Sequence, residues 1–174
     1  MFVSKFLQFN TRRLLRKNEV ERKNIDFKKA KTIGIIFSSE GIEKHQAIKS
    51  LIKSLKEDGK EVTVLSFLGK GRQNHEFLFD IVSSNDVSFW GSIHNEQVHA
   101  FTREPFDFLF HLDTVENEIL ENILAMSRAK CRVGIFKEGK GPYYELMINP
   151  KNPDSVEELI KDIYHYTQKI TVND

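Results

Sequence analysis

The sequence predicts a three-layer α/β domain with a mostly parallel sheet of about five or six strands, preceded by a basic amphipathic helix. Three observations lead there. From residue 32 onward, β-branched and aromatic runs alternate with helix-length apolar stripes. The breaks between them carry glycine, asparagine, aspartate or serine, the residues that turns and helix caps use. Residues 1–31 hold ten Lys and Arg against three acids, a charge of +7, which leaves −6 on residues 32–174.

The 174 residues suit one domain with an appendage, and 14 Phe supply bulky core material. The boundaries read as a helix over 1–17, a linker over 18–31 and a Rossmann-like domain over 32–174. The body begins with Thr32 to Phe37, a β-branched run that reads as a buried strand. In "EKHQAIKSLIKSLKEDGKE", Ala47, Ile48, Leu51, Ile52 and Leu55 form one helical stripe, and Gly59 is its stop. "EVTVLSFL" is the next strand, so the first forty residues or so of the body make a βαβ unit with parallel strands. "NHEFLFDIVSSNDVSFWGS" reads as a short helix or irregular piece followed by a strand near Val87–Trp90. Asp107 to Leu112 is a buried strand, and Val115, Ile119, Ile123 and Met126 mark one face of the helix after it. "CRVGIFK" and "YYELMIN" are further strands, and the last helix, "SVEELIKDIYHYTQKI", takes its cap from Asp154 or Ser155.

Open parallel sheets bind ligands at the carboxyl ends of their strands. That rule nominates Ser38, Ser39, Glu40, Asp113 and Thr114 as a ligand pocket, with Gly69 to Arg72 and Asn149 at neighbouring strand ends. Each has a plainer reading: Ser38 or Ser39 caps the following helix, and Asp113 caps the helix that starts near Val115. His111 is expected to face away from Asp113. The dinucleotide and P-loop glycine patterns are absent, so no nicotinamide, flavin or ATP cofactor of the standard kinds is expected. "LGKGR" and "KEGKG" read as turns. His94 and His99 lack the zincin spacing, no metal site is expected, and Cys131 reads as a buried strand residue in a reducing compartment. No catalytic residues can be assembled, which favours a binding protein over a catalyst.

On "FKKAKTIGIIFSSEG", "FDFLFHLD" and "AMSRAKCRVGIF", the chain resembles along its whole length an uncharacterised family of short α/β proteins from Bacteroidota. That resemblance implies a fold and a bacterial cytoplasmic origin, with no chemistry attached. The stretch "ILAMSRAKCRVGIF" is also similar to a segment of heptosyltransferase-like glycosyltransferases, in which a helix ends in Ala-Lys or Ala-Arg before an Arg-Val-Gly strand. Those enzymes use two Rossmann-like domains and hold the sugar nucleotide mostly on the second. This second resemblance therefore implies a binding module derived from an enzyme.

The opening stretch carries the functional suspicion. As a helix it places Phe2, Val3, Phe6, Leu7, Phe9 and Leu14 within an arc of about 160°. Lys5, Arg12 and Arg16 flank that arc, while Arg13 and Lys17 fall inside it. Charge after the apolar half is the wrong order for a secretory signal. An Arg-rich, acid-poor helix also has the look of a mitochondrial presequence, which the bacterial resemblance opposes. The plain reading is that Phe2, Phe6 and Phe9 pack on the acidic body. The functional reading makes Arg12, Arg13, Arg16 and Lys17 a polyanion-binding set with Phe2, Phe6 and Phe9 as an apolar anchor. The partner would be RNA or a ribonucleoprotein, an anionic membrane surface met peripherally, or a groove on a protein. The expected location is the cytoplasm or the periphery of the inner membrane, with no transmembrane segment. The rival reading is a small-molecule or nucleotide-sugar binder using the strand-end pocket.

Overall fold

The computed structural model describes residues 2–69 and 79–172. Six parallel strands form one sheet in the order β3-β2-β1-β4-β5-β6. They are β1 (Thr32–Ser38), β2 (Glu61–Leu68), β3 (Asp80–Ser83), β4 (Phe108–His111), β5 (Cys131–Ile135) and β6 (Leu146–Ile148). The described residues also form five α-helices: α1 (Phe2–Lys17), α2 (Ile42–Glu57), α3 (Glu96–Arg103), α4 (Glu118–Met126) and α5 (Val156–Thr167).

The hydrophobic pattern explains the central position of β1, which has six consecutive buried residues. A strand buried on both faces needs helices on both sides, and parallel sheets are built that way. On one side Ile33, Ile35 and Phe110 pack with Ile48 and Leu51 of α2 and Leu159 of α5. On the other, Ile36, Leu65 and Leu109 pack with Phe101 of α3 and with Leu120 and Ile123 of α4. Local signals end the helices: Gly59 follows α2 with φ +76°, and Asn95, Asn117 and Ser155 cap α3, α4 and α5 through their side chains.

Two sequence expectations are corrected here. The third strand, expected near Val87–Trp90, lies earlier, at Asp80–Ser83, paired with β2; Val87 makes only an isolated bridge to Ile93. α3 was not foreseen, although Asn95 followed by Val98, Phe101 and Thr102 on one face is a capped helix pattern. The expected short helix in "NHEFLF" falls largely on residues 70–78, outside the described residues.

α1 lies outside this three-layer body, docked along α4. Leu7 is 3% exposed and belongs to the same core as Leu120 and Ile123. Thr11 accepts a hydrogen bond from Asn122 at 2.8 Å, and Ser4 and Gln8 both donate to Glu118, at 2.9 and 2.6 Å. Asn10 donates to the carbonyls of Trp90 and Gly91, at 2.9 and 3.1 Å. Gly91 has φ +72°, and a Cβ there would lie 2.4 Å from the Leu7 nitrogen. Only glycine lets the two backbones approach so closely.

Candidate functional site

The strand-end pocket can be judged first. Strand order reverses between β1 and β4, and Ser38 and Asp113 face each other across that point. They are bonded to one another: the Ser38 amide donates to Asp113 at 2.9 Å and its hydroxyl at 2.7 Å. Lys44 of α2, only 5% exposed, reaches in to form an ion pair with Asp113 and a second one with Glu40 at 3.1 Å. Burial pushes the Asp113 carboxyl up, but the His111 imidazole and the Lys44 ammonium beside it more than reverse that push, and its pKa falls well below the ordinary value. His111 Nε2 lies 3.5 Å from Asp113, and its Nδ1 is 2.7 Å from the Tyr144 hydroxyl. Burial raises the Tyr144 pKa far above the ordinary tyrosine range.

This arrangement corrects three expectations. Ser38 does not cap α2, whose N-cap is Gly41 without a side-chain bond. Asp113 does not cap α4, because Asn117 does. His111 does not face away from Asp113, since residues two apart on a strand share a side. Ser39 donates its amide to the Phe67 carbonyl at 2.8 Å, and Thr114 follows Asp113 half-buried. The hollow beside His111, Asp113 and Tyr144 measures about 10 Å³, the size of one water. Residues 70–72 lie outside the described residues, and Asn149 is exposed. Among the described residues, no cluster of three His, Cys, Asp or Glu is placed to hold a metal ion.

Cys131 is fully buried, and burial together with the nearby Glu145 carboxylate pushes its thiol up to about 12. It should stay unmodified by a thiol reagent in native buffer and react only on unfolding, as followed by release of the coloured thiolate. Fast reaction of the native protein would contradict this.

An open hollow of about 330 Å³ lies further out from the strand-end groups, between the starts of α2 and α5, beside Glu40, Glu43, Lys44 and Glu157. A larger concave surface is at the opposite end of the strands. A cleft of about 710 Å³ is bounded by the end of α1, the strap 18–23, the end of α3, and the residues that lead into β4 and β5. Lys17, Lys23, Arg103 and Arg128 line it together with His99 and the carboxylates of Glu19 and Glu21, and Thr102, Pro105 and Met126 contribute to its walls. A second hollow of about 320 Å³ shares Leu14, Lys17, His99 and Met126 with it and continues past Arg13 and Asn10 to Gly91. The strap is fixed rather than loose. Asn18 donates to the carbonyls of Ala125 and Ser127 at 2.8 and 3.0 Å, and Arg22 donates to those of Ser127 and Ala129. Burial, with the neighbouring Arg132 charge, lowers the Arg22 guanidinium to about 10, which leaves it charged at neutral pH.

The candidate residues of α1 separate into two sets. Arg12, Arg13, Arg16 and Lys17 are all exposed, and among the described residues none has a carboxylate within ion-pair distance. Phe6 is half-buried, 6.0 Å from the Phe89 ring and 5.4 Å from the Trp90 ring. Phe2 and Phe9 stay in solvent at 68% and 64% exposure. The helix docks through the edge of its apolar arc that holds Leu7, because Thr11, Ser4 and Asn10 find partners there. His99, Arg103 and Arg128 carry no sequence signal of their own; helix ends distant in sequence bring them together.

A doubly wound parallel α/β protein with a docked basic helix is the class these features define. The chain belongs to DUF6913, a family of unknown function, whose sequence model matches residues 4–170. No curated protein matches it. No described helix is long and apolar enough to cross a membrane.

Proposed function

We propose that the protein is a non-catalytic binding or assembly module that engages a polyanionic partner through the solvent face of α1. The observation that carries this reading is the set of four exposed cations, with no ion-pair partner among the described residues, on a helix that is itself held firmly to the body. Paired surface cations would have been spent on the acidic body; these are available to phosphates. Ser38, Lys44 and Asp113 are bonded to one another, the hollow beside Asp113 is of one water's size, and the open hollow by Glu40 is lined by three further carboxylates, all of which counts against the rival pocket for an anionic ligand. Within this proposal the protein works in a bacterial cytoplasm of the Bacteroidota type, and the single buried cysteine suits a reducing compartment. RNA or a ribonucleoprotein is the partner favoured over a membrane or a protein groove.

The test is binding to a phosphate-bearing matrix and co-purification from native lysate. Because the four side chains are exposed, R12E/R13E/R16E/K17E should fold normally by circular dichroism. It should bind about 100-fold more weakly, with the slope of log affinity against log salt reduced by about 3. Unchanged retention and unchanged partners would sink the proposal.

A further inference from the structure

The geometry points to a binding track for single-stranded nucleic acid that leaves the outer face of α1 and runs through the cleft between α1, α3 and the strap; it rests on the polyanion reading above. The two hollows adjoin, sharing Leu14, Lys17, His99 and Met126, and together they extend from Gly91 to Arg128. Its cations come from separate parts of the chain: Arg13 and Lys17 from α1, Lys23 from the strap, Arg103 from the end of α3, and Arg128 after α4. Among the described residues, none of these five is in an ion pair. Lys130, also in the groove, is held by Asp107 at 2.7 Å and is left out of the set, and Glu19 and Glu21 of the strap put two carboxylates against the five cations.

Beyond the lining residue Gly91, and outside the hollows themselves, Phe89 and Trp90 pack against Phe6 and are still 58% and 66% exposed, their rings 5.3 Å apart and edge-on. Large exposed aromatic rings beside a line of cations offer faces for unpaired bases next to sites for phosphates. A duplex hides its base faces and gains nothing from the rings. A flat bilayer meets protruding cations, whereas Lys23, Arg103 and Arg128 border a concavity that a narrow strand can enter. The acidic remainder of the body would repel a strand elsewhere and confine it to this groove.

The experiment uses the full chain and a short fluorescein-labelled oligoadenylate, as RNA and as DNA, read by anisotropy across a salt series. A matching duplex and vesicles of equal phosphatidylglycerol and phosphatidylcholine are the competitors. The single strand should bind in preference to the duplex. R103E/R128E, which leaves α1 untouched, should weaken binding at least about tenfold and reduce the salt slope by about 1.4. W90A should weaken it about tenfold with the slope unchanged. Either sugar supports the track, and a preference for RNA would assign a contact to the 2′-hydroxyl. Wild-type binding by both R103E/R128E and W90A overturns it. If R12E/R16E alone abolishes binding, the polyanion reading stands and the groove falls. If no variant changes binding, both fall. Equal affinity for the duplex, or capture of vesicles without the oligonucleotide, also overturns the single-strand track.

Discussion

Asp113→Asn is expected to destabilise the protein by about 3–5 kcal/mol, the usual cost of leaving one member of a buried ion pair without its partner. Lys44 is 5% exposed and its ammonium would keep only Glu40, a half-exposed carboxylate, while the Ser38 amide and hydroxyl would face a neutral acceptor. Urea unfolding checks the value. The double variant K44M/D113L should recover only part of the loss: it removes the stranded ammonium, but it leaves the buried Ser38 amide and hydroxyl without their acceptor. An unchanged midpoint in D113N would mean that the pair contributes nothing. Acid tells the same story with a defined sign. The carboxyl titrates lower in the folded protein than in the unfolded chain, so its contribution is complete above about pH 4 and is lost as the pH falls towards the folded value. D113N should lack that part of the acid slope. If it also keeps polyanion binding, the strand-end network is structural.

The same network shows where sequence reading reached its limit. The buried strands β1 and β4 and the stripes of α2 and α4 were legible because each pattern is local and periodic. β3 was not: four residues at a sheet edge are fixed by pairing with β2, from Leu65 opposite Asp80 to Leu68 opposite Ser83, and nothing in "DIVS" announces it. Strand ends nominate Ser38 and Asp113 together, and helix capping by Ser38 or Ser39 and by Asp113 is the plainer reading, the commonest use of such residues. What decided otherwise was Lys44, one turn into α2, whose burial could not be read from a helix rich in surface lysines. The groove was less legible still. The sequence nominates Arg13 with its helix, but Lys23, Arg103 and Arg128 are unremarkable singly, and only the docking of α1 and the strap brings them to one cleft.

That dependence makes the seat of α1 the next thing to disturb. Gly91→Ala is expected to loosen α1 specifically. An alanine at φ +72° costs about 1 kcal/mol in backbone strain. The larger penalty comes from its Cβ, 2.4 Å from the nitrogen and 2.7 Å from the Cα of Leu7. Those are backbone atoms of a helix, which cannot give way singly as a side-chain tip can. The helix must retreat, and the contacts that depend on its position go with it: Asn10 to the Trp90 and Gly91 carbonyls, Thr11 to Asn122, and the burial of Leu7. Together with the strain, this should cost about 2–4 kcal/mol. Hydrogen exchange can separate local from global loss. Amides of residues 2–17 should lose protection while those of β1 and β4 keep most of theirs, because the sheet core is sealed by α2, α3, α4 and α5. Protection of α1 at the wild-type level would show that the helix tolerates the added methyl. A fall of equal size in every element would show that α1 is part of the cooperative core rather than a platform laid on it. The first pattern with weakened nucleic-acid binding would tie the groove to the seated helix. With binding retained, the cations of α1 would be acting without the wall that the body provides.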